Sequence, residues 1–259
     1  MNRRELLAAS CLAGLGPLAN HARGKDAPVP NKEFYELRLY HVAAGAKEQA
    51  LHEFLAKAAI PAMNRIGIKP VGVFGITKGT EAEVYVLMPH KDLASVATAT
   101  GRMLADKDFV KAGAAFMDAP KSDPAFKRIE SSLLLAFDQI PKLQVPPRKE
   151  TRVFQLRIYE SHSVKKGRKK VEMFNAGGEI AIFRRAGLKP VFFGEAIVGA
   201  KLPNLTYMVV HDDMEASKAS WQKFLGDPAW KKLHSDPAYK DTVSNITNMF
   251  LKPAACSQI

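Results

Sequence analysis

The chain writes one unit twice. "YELRLYH" at residues 35–41 returns as "FQLRIYE" at 154–160, and "RIGIKPVGVFG" from Arg65 returns as "RAGLKPVFFG" from Arg185. "LADKDF" from Leu104 matches "LGDPAW" from Leu225, and "SDPAF" at Ser122 matches "SDPAY" at Ser235. The order is kept, and the offsets run from 113 to 121 residues, close to half of the 259-residue chain. A period that long means two copies of one domain, because a solenoid repeats every few tens of residues and needs several units to bury its core.

Within the first copy, residues 33–41 alternate like a strand, and 45–66 carry Leu51, Phe54, Leu55 and Ala58 at helical spacing. Gly67 and the Lys69-Pro70 pair stop that helix. "VGVFGI" and "EVYVLM" follow as a hairpin, a second helical stretch runs from about Asp92 to Met117, and "SSLLLAF" closes the unit. The second copy repeats the order. The expected organisation is a first domain at 33–140, a proline-containing linker at 141–150, a second domain at 151–252 and a tail at 253–259.

Strand–helix–strand–strand–helix–strand is the ferredoxin-like order, an α+β unit whose four-stranded antiparallel sheet carries helices on one face. The other face is left bare. Two copies that cover each other's bare faces would form a pseudo-dimeric, eight-stranded α+β barrel, so one chain supplies both halves.

Residues 1–22 read differently from the rest. An arginine pair, Arg3-Arg4, precedes an apolar run from Leu6 to Ala19 and small residues up to Ala22, the pattern of an export signal, here similar to the twin-arginine type. Residues 23–32 would link it to the first domain, and the protein is expected to be periplasmic or otherwise exported from a bacterium. Fourteen apolar residues are short for a bilayer span, so no permanent span is expected once the signal is cleaved. With Cys11 inside the signal, Cys256 is the one thiol left, and no internal disulfide is expected. The formal charge of +12 suits anionic ligands without naming one. Its densest basic run, "KKGRKK" at 165–170, lacks the interleaved aromatics of a nucleic-acid reader and reads as a solvated helix start.

The openings "EFYELRLYHVAAGAKEQALHEFLAKAAIPAMNRIGIKPVGVF" and "RVFQLRIYESHSVKKGRKKVEMFNAGGEIAIFRRAGLKPVFFG" resemble the NIPSNAP family, as do the G-K-P turn and the D-P-x-W segment. The resemblance covers residues 33–252 and implies the fold of the dimeric α+β barrel superfamily. For activity it implies little, because the family's roles are diverse or undefined and fold alone does not fix function.

Strand alternation places Tyr35, Leu37 and Leu39 on one face and Glu36, Arg38 and Tyr40 on the other. In the second copy Phe154, Leu156 and Ile158 oppose Gln155, Arg157 and Tyr159. With the apolar faces assigned to the helices, the expectation is a barrel interior lined by Glu36, Arg38, Tyr40, Gln155, Arg157 and Tyr159. That set suits a small acidic, partly apolar ligand, since the guanidinium fork matches a carboxylate. The same arginines read equally as structural, Arg38 pairing with Glu36 or Glu195 and Arg157 with a backbone carbonyl to glue the halves together. His41 and His211, at strand ends, are the first candidates for a metal or haem ligand, but no ligand spacing frames them and no cofactor is assigned. Three functions stay open: a ligand-binding barrel, an interaction protein with a filled barrel, and a haem- or metal-dependent small-molecule monooxygenase. No catalytic residue is assigned, and homo-oligomerisation is left open. Trp221 and Trp230 read as packing.

Overall fold

The computed structural model describes residues 31–259, so the stretch 1–22 expected to be an export signal and most of the expected linker at 23–32 lie outside the described residues. The first repeat contains β1 (Phe34–Ala43), α1 (Ala46–Phe54), a π-helical turn (Leu55–Ala59), α2 (Ile60–Arg65), β2 (Gly72–Lys78), β3 (Glu81–His90), α3 (Leu93–Leu104), α4 (Lys107–Met117) and β4 (Arg128–Ala136). The second contains β5 (Val153–Glu160), α5 (Val164–Asn175), α6 (Glu179–Ala186), β6 (Lys189–Val198), β7 (Asn204–His211), α7 (Met214–Gly226), α8 (Pro228–His234), a 3-10 turn (Pro237–Tyr239) and β8 (Asn245–Pro253).

Local chemistry repeats with the elements. Asp92 and Asp213 cap α3 and α7, each accepting at 2.7 Å from an N–H three residues on. Asp106 and Asp227 cap α4 and α8 and are braced by Arg65 and Arg185 at 2.6 and 2.8 Å. A cap of this kind contributes about 1 kcal/mol over alanine.

The strands close into an antiparallel barrel in the order β1-β3-β2-β8-β5-β7-β6-β4. Each repeat supplies four adjacent strands, and the halves meet at two unequal seams. Along β4 and β6 the pairing runs from Leu133↔Val198 to Ala136↔Gly194 with a bulge. A Cβ added at Gly194 would lie 2.8 Å from that of Leu134, so the seam needs glycine there. Between β2 and β8 only Phe74↔Pro253 and Gly75↔Lys252 pair. The backbone groups of Val71 and Val73, ahead of that short pairing, require other partners, and the last residues provide them. Val71 N–H donates to Gln258 Oε1 at 2.8 Å, Val73 N–H to the Ser257 hydroxyl at 3.0 Å, and Gln258 N–H to Val71 O at 2.9 Å. Ile259 is fully buried in the barrel core, so residues expected as a tail form the end wall of the barrel.

Apolar side chains fall into three clusters: one between sheet and helices in each repeat, and one inside the barrel. The barrel interior is packed with Tyr35, Leu37, Phe74, Phe154, Leu156 and Phe192. Among the described residues no helix is long and apolar enough to cross a membrane.

Candidate functional site

The alternation expected for β1 and β5 holds, but the faces point the other way. Tyr35, Leu37 and Leu39, with Phe154 and Leu156, belong to the barrel cluster. Tyr40 packs with Val42, Leu51 and Leu55 and meets Phe126 edge-on at 6.0 Å. Tyr159 packs against Phe174 at 6.2 Å. Glu36, Arg38, Tyr40, Gln155, Arg157 and Tyr159 therefore lie toward the helices, three in each repeat, and line no common space in the barrel. The physical reason is closure: a sealed barrel interior is the driest volume available and takes the most uniformly apolar face.

In the first repeat the polar face neutralises itself. Arg38 donates from Nη2 and Nε to Glu36 Oε1 at 2.7 and 2.9 Å, and the Ser131 hydroxyl donates to the same oxygen. At the position matching Glu36 the second repeat has Gln155. Its Oε1 accepts from Trp221 Nε1 at 2.7 Å and faces His211 Nε2 at 3.1 Å, while its Nε2 donates to Asn248 at 2.7 Å. Burial and the nearby Lys189 push His211 down to about 4. With no carboxylate two residues away, Arg157 has no ion-pair partner among the described residues. Its guanidinium lies 4.5 Å from the Trp221 ring centre and 5.3 Å from that of Tyr159, and its buried Nε meets no hydrogen-bond acceptor. Stacking on an indole attracts a cation without occupying its N–H donors.

Beside Arg157 a cavity of about 670 Å³ opens between β5, the helices α5–α8 and the loop to β8. Trp221, Phe224, Trp230 and Tyr239 contribute its aromatic walls. In its depth Lys170 and Glu179 pair at 2.8 Å, both nearly fully buried. The ammonium lies 4.6 Å from the Phe174 ring centre and 5.7 Å from those of Tyr159 and Trp230. Burial pushes the Glu179 carboxyl up, against the pull of Lys170. Tyr159 and Tyr207 share a hydroxyl hydrogen bond of 3.0 Å, and burial raises both phenols. Counting back 119 and 120 residues from Lys170 and Glu179 leads to Leu51 and Ala59, both buried and apolar. There α1 runs through its π turn into α2, whereas α5 and α6 are separated at Gly177 and Gly178, the latter left-handed at φ 84°.

A smaller recess of about 330 Å³ sits at the barrel end away from Ile259, floored by Leu37, Leu39, Ile158 and Met249 and reached by Glu83 and Lys201. It holds none of the predicted arginines or tyrosines. His41 faces Glu130 at 3.2 Å at an exposed strand end, far in sequence and partner from His211. Among the described residues no group of three or more His, Cys, Asp or Glu could hold a metal.

Sequence reasoning missed Lys170, Glu179 and the role of Trp221 and Trp230 as cavity walls. Lys170 belongs to the basic run read as solvated, yet it is buried. The available signal was the comparison of repeats, in which Leu51 is replaced by lysine, Ala59 by glutamate and Glu36 by glutamine.

The NIPSNAP family model matches residues 35–139 and 154–258. Solved structures with the same barrel include a Fusobacterium nucleatum protein whose name proposes a monooxygenase, 9% identical over 86% of this chain and 93% of that one, with a TM-score of 0.59. A protein of Lactobacillus acidophilus, also named as a proposed monooxygenase, is 10% identical over 86% and 94%, with a TM-score of 0.55. A NIPSNAP-like domain protein of Burkholderia xenovorans is 18% identical over 41% of this chain and 89% of that one, at a TM-score of 0.37. No curated protein matches the chain.

Proposed function

The chain belongs to the NIPSNAP family, and from that premise and the second-repeat cavity we propose that it binds a small carboxylic acid with an aromatic or apolar body. The observation that carries this reading is Arg157, a guanidinium stacked on Trp221 with no carboxylate at ion-pair distance among the described residues, at the edge of an aromatic-walled cavity of about 670 Å³. An acid entering there would supply the acceptors that the guanidinium lacks, while Trp221, Phe224 and Trp230 would cover its body. Cavities of this size hold molecules of drug-like dimensions. The site proposed first for the barrel interior thus moves into the sheet–helix layer of one repeat, with Arg157 and Tyr159 retained. Glu36, Arg38 and Tyr40 act as its closed counterpart.

The chain has two tryptophans, Trp221 and Trp230, and both border the cavity. Titrating the protein with 3-phenylpropionate and with its amide, and following tryptophan emission, tests the reading. It expects saturable change with the acid and binding of the amide at least about tenfold weaker, as for loss of one charged hydrogen bond. Equal response, or none across a panel of aromatic and aliphatic acids, removes it and favours an interaction protein built on a filled barrel. The arginine-paired leader supports export, which fractionation of the producing cell would test.

A further inference from the structure

The buried ion pair is unnecessary to this fold. The first repeat makes the same sheet–helix layer with Leu51 and Ala59 where the second has Lys170 and Glu179. Burying two charges costs desolvation that their mutual attraction often fails to recover, and apolar replacements are commonly as stable or more so. The second repeat carries this cost at the wall of the cavity beside Arg157, which points to chemistry at the amine.

We propose that Lys170 is a nucleophilic lysine, which condenses with an aldehyde or ketone on the ligand to form a protonated imine, with Glu179 as its proton acceptor and donor. This rests on the acid-binding reading and narrows it to acids that also bear a carbonyl group. The Lys170 ammonium passes one proton to Glu179 across 2.8 Å, and the freed amine attacks the carbonyl carbon, forming a C–N bond. As that bond forms the carbonyl π pair moves onto oxygen, which takes a proton from the attacking nitrogen to give the carbinolamine, and Glu179 returns its proton to that hydroxyl as it leaves as water. One ammonium and one carbonyl thus become one iminium and one water, with Glu179 unchanged and no oxidant or reductant consumed. The product suits its surroundings because the iminium is still a cation. It keeps Glu179 as counter-ion and keeps the rings of Phe174, Tyr159 and Trp230 around the charge. Nucleophilic lysines of this kind are activated by low-polarity surroundings and a neighbouring base.

Reductive trapping tests it on the whole protein. The protein is incubated with 4-phenyl-2-oxobutanoate and, separately, 6-oxoheptanoate, with sodium cyanoborohydride, and the product is read by intact mass and peptide mapping. The expected result is one adduct per chain at Lys170, reduced at least tenfold in Arg157→Gln and absent in Lys170→Met, whose fold is checked by circular dichroism. Should Lys170→Met fail to fold, competition decides: 3-phenylpropionate in excess must suppress labelling of the Lys170 peptide and leave other lysines unaffected. Labelling spread over surface lysines, with the Lys170 peptide no richer than the rest, overturns the proposal. If the oxo acids change tryptophan emission yet leave Lys170 unlabelled, the nucleophile is refuted while acid binding stands. If they bind nowhere, acid binding fails with it.

Discussion

Replacing Gln155 by glutamate would rewrite the second repeat in the first repeat's terms. Glu36 holds Arg38 at 2.7 Å from the position that matches Gln155, so the new carboxylate would lie within reach of Arg157. Its oxygen could still accept from Trp221 Nε1, as Gln155 Oε1 does at 2.7 Å, and the donation to Asn248 would be lost. The guanidinium would then be neutralised from within, and an incoming acid would have to displace an ion pair already formed. A charged hydrogen bond in a partly buried setting is worth about 1.5–3 kcal/mol, which corresponds to about a 10- to 150-fold loss of affinity for a carboxylate ligand. Tryptophan titration with 3-phenylpropionate reads this directly, because both indoles border the cavity. The amide of the same ligand should bind with unchanged affinity, which separates charge neutralisation from collapse of the cavity. As a counterpart, Glu36→Gln frees Arg38 in the repeat whose helices are joined by Phe54 stacked on Phe116 at 4.3 Å, and it should add no second binding phase. The reasoning is refuted if Gln155→Glu binds the acid as tightly as the unaltered protein does.

The other predictions concern stability. Ile259→Ala should cost about 2 kcal/mol or more, since the side chain is fully buried in the barrel, and a thermal melt should show a drop of roughly 4–8 °C. Gly194→Ala should destabilise the protein by forcing β4 from β6 at a 2.8 Å contact, and amide exchange should rise at Leu134 and Leu135 first. His211 is held near 4 in the folded chain, below the 6.5 of an unfolded histidine. The unfolded chain therefore binds more protons between those values, and stability should fall as pH drops from about 6.5 toward 4. His90 is lowered in the same direction, so His211→Gln should flatten that part of the melting-temperature profile without abolishing it. An unchanged slope would show that His211 is not held neutral.

The fold was legible because its evidence is redundant. Each strand, turn and helix stop occurs twice, and Asp92 and Asp213 cap their helices at equal offsets. The orientation of β1 was not legible, because a period of two gives which residues share a face and says nothing of which face turns inward. Tyr35-Leu37-Leu39 could meet either helices or barrel, and closure of the two seams decided it. The site was half legible: Arg157 and Tyr159 carry it, but their partners come from α5–α8. Lys170 is one of six residues in a basic run, and nothing in "KKGRKK" separates the one that turns inward from those that face water. A charge in a helix reveals its burial only when its counter-charge is known, and Glu179 lies nine residues on, beyond a glycine break.

The two seams are unlike in a way that bears on how the molecule comes apart. β2 and β8 share two residue pairs, and the final residues latch the rest through Ser257, Gln258 and Ile259. Undoing that latch frees a strand edge on each half while β4 and β6 still hold the halves together. The molecule would then open like a book, with its spine at β4–β6. Each exposed page matches the opposite page of any other copy, so the natural by-product of a lost latch is a reciprocally exchanged dimer that rebuilds two complete barrels from two chains.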